Sequence, residues 1–323
     1  MHRRILRFVF RRIHLMGTVS VTLLYTWLRF GRDRDRHYVL YKQHIGDIML
    51  GIGFARSYQK QKGYKNLTVI ACAGYTPLFQ AYPGEYDEMV YLSYRWWKRM
   101  EQTFLTDFGF RVLKHLKRFE YIDANIYFKD LASFLIPLPG ITLTDVFRSC
   151  IYHLPPDTKM VYPRYDFIPA DHLEKKFGIC LEKTIVLSPF SRSIGETDMN
   201  IFIPLGEHLR RSGYTVVINR SDSDPGLKFP FQELVCDLRE AVSVSRHCKC
   251  LIGYRSGLMD CAVFSGCNII AVYPDEEAGP LFHDLDAMWG YPYSGHLESY
   301  ILIGENNEDI CRLLQLLMKF EES

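Results

Sequence analysis

The chain has 323 residues, 48% of them hydrophobic and 24% charged, with a formal net charge of +2. This is ordinary globular composition, enough for one large domain or two modest ones, and it excludes a disordered or fibrous chain. The small net charge hides an asymmetry: residues 1–36 carry nine arginines against Asp33 and Asp35, a local balance of +7 that leaves −5 on the rest.

Nine cysteines are scattered from Cys72 to Cys311, an odd number that does not form a disulfide framework. His247, Cys248 and Cys250 lie close together, but C-x-C without a second ligand pair is not a zinc signature, so no metal and no cofactor are expected. No signal peptide with a clean cleavage site opens the chain, and a reducing cytosol is the expected compartment.

Residues 1–30, "MHRRILRFVFRRIHLMGTVSVTLLYTWLRF", place Arg3, Arg4, Arg7, Arg11 and Arg12 among apolar residues before the run Leu15–Leu28. That run is short for a span and contains Gly17, Thr18, Ser20, Thr22 and Thr26. The preferred reading for residues 1–36 is a basic amphipathic segment in or near the interface of an anionic membrane. The alternatives are a helix packed on the protein or a partner subunit, and a single span that recruits flanking residues. The implied location is cytoplasmic, peripheral at the inner face of the plasma membrane.

"YVLYK" at 38–42 reads as the first strand. A glycine turn leads from it into a helix through "HIGDIMLGIGFARSYQKQKGYKN", and "LTVIACA" and "DEMVYLS" follow as strands. Residues 95–156 read as a helical insertion, with Trp96 and Trp97 beside Arg95, Lys98 and Arg99. Those rings either dip into lipid headgroups or pack on the core. "TKMVYP" at 158–163 reads as a further short strand. The N-terminal domain is placed at 37–170.

The second half alternates more clearly. "KTIVLSPFSRS" is strand then loop, "NIFIPLGEHLRRSG" a helix ending at Gly213, and "YTVVINR" a strand. "PFQELVCDLREAVSVSRHC" reads as helical, "KCLIGYRSG" as strand then loop, "LMDCAVFSG" as a short helix and "CNIIAVYP" as a strand. Alternation of this kind predicts an α/β, Rossmann-like domain over 181–300 with a mostly parallel sheet. "NNEDICRLLQLLMKFEES", within 301–323, reads as a helix crossing the interface between the halves. Basic-aromatic patches suit nucleic acid, but no recognition motif stands beside them, so nucleic acid is not an expected partner.

In an open α/β sheet, ligands bind beyond the carboxyl ends of the strands. At 42–53, Gly46 allows a tight turn, and Asp47 is either a helix N-cap or a carboxylate aimed into a cleft between the domains. At 188–200, Ser191, Arg192 and Ser193 offer hydroxyls and a guanidinium suited to phosphate oxygens. At 250–257, Gly253 permits close approach to the backbone, and Ser256 and Gly257 open a short helix with unpaired N–H groups. Arg255 stands at the mouth of a buried strand. Its partner is either a carboxylate (Asp260 or Asp275) or a diphosphate, and the diphosphate is preferred. Asp260 would orient Arg255 or meet a sugar hydroxyl. Asp275, Glu276, Glu277 and His283 are candidates for ribose or sugar hydroxyls, with two or three of the acids on the solvated surface. Tyr273 either stacks or is buried.

These residues carry a resemblance. A strand followed by "IGD" (45–47), and "LIGYRSGLMDCAVFSGCNIIAVYP" further on, resemble the acceptor and donor halves of the heptosyltransferase-like glycosyltransferases. Ile252, Gly253, Ser256 and Gly257 match that family's pattern. Asp260 stands where the family has a histidine, "LSPFSRS" keeps only Pro189 and a serine of the usual His-Pro-Gly-Ser-like loop, and the proline of the first helix is absent. The resemblance covers most of residues 38–300. It implies a GT-B fold of two facing Rossmann-like domains and an inverting, metal-independent transfer with Asp47 as general base. The sugar would move from a nucleotide-sugar donor to a lipid-linked or polysaccharide acceptor, as in lipopolysaccharide or other surface-polysaccharide biosynthesis. Self-association into a homo-oligomer is open. "DRD" at 33–35 precedes the first strand and is not taken as a metal site. The competing readings are a nucleotide-sugar epimerase or phosphorylase of the same layout, and a non-catalytic nucleotide- or polysaccharide-binding scaffold.

Overall fold

The computed structural model describes residues 2–30, 35–41, 44–104, 106, 109, 111–112, 118–122, 141–191, 201–220, 229–273, 289, 295–304 and 306–322, with residues 2–14, 306, 321 and 322 described by their backbone alone. The chain divides into two units: Met1–Tyr127 with Phe147–Val161, and Phe128–Val146 with Tyr162–Ser323.

The first unit is built on four parallel strands, β1 (Arg36–Tyr41), β2 (Asn66–Cys72), β3 (Glu88–Leu92) and β4 (Phe119–Ile122), in the order β3-β2-β1-β4. Parallel strands are usually covered on both faces, and β1 is accordingly buried through Tyr38–Tyr41. One face joins Tyr38, Leu40, Ile70, Cys72, Leu92 and Phe119 in a core completed by Trp97, Met100 and Phe104 of helix α4 and Phe30 of helix α1. Tyr41, on the other face, lies against Gly51 in the helix Ile45–Ile52. These helices are α1 (His2–Phe30), α2 (Ile45–Ile52), α3 (Ala55–Lys62) and α4 (Tyr94–Phe104).

Three expectations about this unit change. The stretch 95–156 is not a purely helical insertion, because β4 lies within it and pairs with β1. "FEYI" is too short to show its alternation against the basic, aromatic sequence around it. Residues 158–163 form no strand. Val161 instead donates its N–H to Gly53 O at 2.9 Å, and a Cβ on Gly53 would come within 2.6 Å of Val161 O. Val161 is therefore pinned to the turn after α2. Trp97 is 2% exposed and belongs to the core, while Trp96 stacks on Tyr25 of α1 at 4.2 Å. Both rings pack on protein.

The second unit holds six parallel strands, β5 (Thr184–Ser188), β6 (Thr215–Arg220), β7 (Gln232–Val235), β8 (Cys250–Tyr254), β9 (Ile269–Tyr273) and β10 (Leu297–Ile301). Their order is β10-β9-β8-β5-β6-β7. Counted within the unit this is the 3-2-1-4-5-6 order of doubly wound nucleotide-binding sheets, with its switch point between β5 and β8. Helices α5 (Ala170–Phe177), α6 (Phe202–Arg211), α7 (Leu238–His247), α8 (Gly257–Ala262) and α9 (Asn306–Glu322) belong to the same unit.

Here too the sequence reading needs correction. "PFQELVCDLREAVSVSRHC" is not one helix, since β7 comes first and α7 starts after Asp237. The break is a capping box, in which the Asp237 carboxylate accepts from Glu240 N–H and the Glu240 carboxylate accepts from Asp237 N–H. The final helix, α9, packs Ile310, Leu313, Leu317 and Phe320 into the core of the second sheet.

Truncating a fully buried tryptophan typically costs about 3–5 kcal/mol. Trp97→Ala should therefore lower unfolding free energy by that amount in urea denaturation. Unchanged stability would mean that the ring is not part of the core.

Candidate functional site

The switch point of the second sheet brings two of the sequence-predicted loops together. β5 and β8 run side by side with Ser188 opposite Gly253. A Cβ at position 253 would lie 2.2 Å from Ser188 O, so the close approach that this glycine permits is by the neighbouring strand. Beyond the strand ends, Ser191 donates its hydroxyl to Arg255 O at 2.7 Å, and Arg255 N–H donates to Val272 O at 3.1 Å. The Arg255 backbone is thus held from both sides, by the loop after β5 and by β9.

The Arg255 side chain reaches into the protein. Its Nη2 lies 3.2 and 3.3 Å from the two carboxylate oxygens of Asp260 on α8. The arginine side chain is 17% exposed and the aspartate 3%. Of the two partners weighed for Arg255, the carboxylate is present in the structure and is Asp260. Burial pushes the Asp260 pKa up, while Arg255 and the Trp289 indole pull it down, and burial prevails. Trp289 is itself buried, edge-on to Phe264 at 5.3 Å, and its carbonyl accepts from Thr144 Oγ1 at 2.9 Å.

Ser256 occupies the N-cap of α8 in an extended conformation, yet its side chain makes no capping bond. A serine in that place ordinarily accepts from the N–H of one of the next residues. Its Oγ is buried and has no hydrogen-bond partner among the described residues. The mouth of the switch point therefore holds a fixed arginine, an uncommitted serine hydroxyl and the first turn of a helix at Gly257. Sequence reasoning missed two neighbours: Trp289, and Asn219 at the end of β6, whose Nδ2 is 3.4 Å from Ser188 Oγ. Neither has a local signal, because each reaches the site through a long sequence separation.

In the first unit, β1 is likewise the strand at the reversal of order and leads into α2. Asp47 is the third residue of that helix and Gly46 the second, the N-cap being His44. Asp47 is therefore not a cap, and Gly46 has right-handed helical geometry in place of a special turn. A carboxylate in the first turn is favoured by the helix dipole. Two tyrosines fix α2: Tyr152 donates to Gly51 O at 2.8 Å, and Tyr41 to the same oxygen at 3.4 Å. Burial pushes both hydroxyls well above their ordinary pKa, so they remain protonated donors.

Arg192, Ser193, Asp275, Glu276, Glu277 and His283 lie outside the described residues. Tyr273 is buried at the end of β9. Cys248 and Cys250 are buried, and desolvation pushes their thiols up. His247 Nε2 is 3.1 Å from Ile168 O. Among the described residues no group of three or more His, Cys, Asp or Glu could hold a metal ion.

Two mostly parallel sheets flanked by helices, the second in nucleotide-binding order, are the GT-B arrangement. Known structures share it. The chain is similar to Escherichia coli ADP-heptose lipopolysaccharide heptosyltransferase II, with 16% identity and a TM-score of 0.55 over 89% of this chain and 100% of that one. It is similar to a glycosyl transferase family 9 protein from Veillonella parvula, with 15% identity and a TM-score of 0.55 over 88% and 98% of the two chains. At these identities the likeness is one of fold. No protein-family model matches the chain, and no curated protein matches it.

A buried charge stripped of its partner costs about 3–5 kcal/mol, whereas replacing both members of the pair by apolar groups is often neutral. Asp260→Ala should therefore destabilise the protein strongly, and Asp260→Leu combined with Arg255→Met much less, in chemical denaturation. The sign of the pH dependence follows from the raised carboxyl. The folded state holds the Asp260 proton more tightly than the unfolded state, so this contribution is full at low pH and is lost as pH rises through the folded pKa. In Arg255→Met, without the pull of the guanidinium, the stability lost with rising pH should be larger in total and extend to higher pH than in the parent. An equal total loss over the same pH range would show that Arg255 does not act on Asp260.

Proposed function

We propose that the protein is an inverting, metal-independent glycosyltransferase. It would move a sugar from a nucleotide-activated donor to a lipid-linked or surface-polysaccharide acceptor. The observation that carries this reading is the switch point between β5 and β8, where Arg255 and the uncommitted hydroxyl of Ser256 meet in a sheet of nucleotide-binding order. The fold shared with the E. coli heptosyltransferase and the Veillonella protein supports it.

In this reading the second unit binds the donor. As the bond between the anomeric carbon and the phosphate oxygen breaks, the leaving nucleoside diphosphate gains negative charge. Arg255, Ser256 Oγ and the Gly257 N–H stabilise that charge, with Ser191 positioning the arginine, and Arg192 and Ser193 are assigned to the same task. Asp260 orients Arg255, while Asp275, Glu276 and Glu277 are assigned to ribose or sugar hydroxyls. An acceptor hydroxyl is a weak nucleophile. Asp47, in the first turn of α2, takes its proton as its oxygen bonds to the anomeric carbon from the side opposite the leaving group, inverting that centre. The protein works in the cytoplasm, peripheral at the inner face of the plasma membrane.

The test separates binding from chemistry. General-base loss typically lowers turnover by roughly 10²–10⁴-fold. Asp47→Asn should lose transfer by that factor across a donor panel while nucleoside diphosphate affinity, measured calorimetrically, stays the same. Arg255→Lys keeps a charge beside Asp260 but removes the guanidinium fork, and should weaken that affinity by about tenfold, as expected for losing one charge-assisted hydrogen bond. Full turnover in Asp47→Asn removes Asp47 as base, and unchanged affinity in Arg255→Lys removes the donor site. Conversion of the free donor to an isomer without acceptor would make the protein an epimerase.

A further inference from the structure

Helix α1 has two apolar faces, and the first unit covers one of them. Val19, Thr22, Thr26 and Phe30 recur at helical spacing and are buried. The threonines satisfy their hydroxyls internally, Thr22 Oγ1 to Thr18 O at 2.7 Å and Thr26 Oγ1 to Thr22 O at 2.8 Å, so that side can lie dry against α4. Tyr25 stacks on Trp96, and Phe30 enters the core beside Tyr38 and Phe119. The other side is bare: Met16, Val21, Leu24, Trp27 and Leu28 are all exposed, Leu24 by 57% and Trp27 by 59%. Large apolar side chains exposed singly are ordinary, but five gathered on one side of a helix mark an interaction surface.

Charge identifies the occupant. Residues 2–14 of the same helix include Arg3, Arg4, Arg7, Arg11 and Arg12, and the first acidic residue of the chain is Asp33. Arg29 lies against Tyr25 at 5.7 Å and Arg99 over Trp96 at 5.0 Å, so two more guanidinium groups flank the stack that holds α1 to α4. A second copy of the chain would bring the same excess of positive charge to this face, whereas an anionic lipid surface would neutralise it. A transmembrane path is closed to this part of the helix by its docking on the unit, and no helix among the described residues is long and apolar enough to cross a membrane. An indole at the border of an apolar stripe suits the headgroup level.

We propose that the face formed by Met16, Val21, Leu24, Trp27 and Leu28 lies in the headgroup–acyl boundary of an anionic membrane. Because α1 is fixed to α4, binding there sets the orientation of the first unit relative to the bilayer. The inference rests on the peripheral membrane placement proposed above, and names the surface and the lipid chemistry that produce it. It does not depend on the transfer chemistry.

The test uses the full chain and co-sedimentation with vesicles of phosphatidylcholine alone or mixed with phosphatidylglycerol. The parent should bind the mixed vesicles, bind neutral ones at least tenfold less, and release as salt is raised. Leu24→Asp combined with Trp27→Asp changes only exposed side chains. It should lose at least tenfold in vesicle binding while its melting temperature and nucleoside diphosphate affinity match the parent. Equal binding by parent and variant, or no binding by the parent, overturns the proposal. A parent that self-associates in solution, loses this in the variant and ignores vesicles also overturns it, assigning the face to a second copy. Unchanged nucleotide affinity in Arg255→Lys, with vesicle binding intact in the parent, would sink the donor site and leave this surface standing.

Discussion

The second sheet winds outward in both directions from β5 and β8, and that reversal dictates what can stand at its carboxyl edge. Connections leaving neighbouring strands diverge there, so no crossover helix fills the space between them. The two strands must lie close together to continue the sheet, and position 253 meets that requirement by having no side chain where Ser188 O passes. The loops that follow are then brought near enough for Ser191 to bond the Arg255 carbonyl. Arg255 owes its position to backbone geometry before any property of its guanidinium enters.

That guanidinium has an energetic cost. A pair as enclosed as Arg255 and Asp260 gives up much hydration, and attraction in the interior repays this only when the remaining donors and acceptors are engaged. Burial still leaves the Asp260 pKa raised even with the arginine beside it. Replacement by apolar residues would be the cheaper way to fill this space, so the pair is weak evidence for stability and better evidence for another purpose. On the proposed reading that purpose is to hold a cation at the donor phosphates with its rotamer already chosen, which lowers the ordering cost of binding. The aspartate standing where the resembling family has a histidine then has a physical sense: it is the counter-charge for an arginine five residues earlier.

Much of this was legible in the sequence, and what was not has identifiable causes. Buried parallel strands such as Cys250–Tyr254 and Ile269–Tyr273 announce themselves as short apolar runs ending in turn residues. The α/β, Rossmann-like reading followed from their alternation with helices, and the GT-B layout from the family resemblance. β4 and β7 were hidden because both are four-residue edge strands carrying charge, Glu120 in one and Glu233 in the other. The Asp237–Glu240 box lay unread inside a stretch whose helical pattern ran across it. Residues 158–163 have strand composition, but their backbone is bonded to a turn, a choice made by tertiary contact that no local pattern records. In the site, Arg255, Ser256 and Ser191 were readable from loop position, whereas Trp289 reaches Asp260 from a distant part of the chain.

The N-terminal helix was the least decidable segment, for a reason that the structure makes concrete. A helix with one apolar face states its business through its periodicity. This one presents Val19, Thr22, Thr26 and Phe30 to the protein and Leu24, Trp27 and Leu28 away from it, so its apolar residues go nearly all the way round. All-round apolarity ordinarily signals a fully buried helix or a membrane span. Threonine resolves the ambiguity: it reads as polar in the sequence, but with its hydroxyl bonded to the preceding turn it offers a methyl-lined surface that packs as an apolar one. The docked side is therefore the side that the sequence makes look hydrophilic, and the more overtly hydrophobic side is left for a neighbour. A helix that had evolved only to cover the first sheet would be expected to carry those residues the other way round.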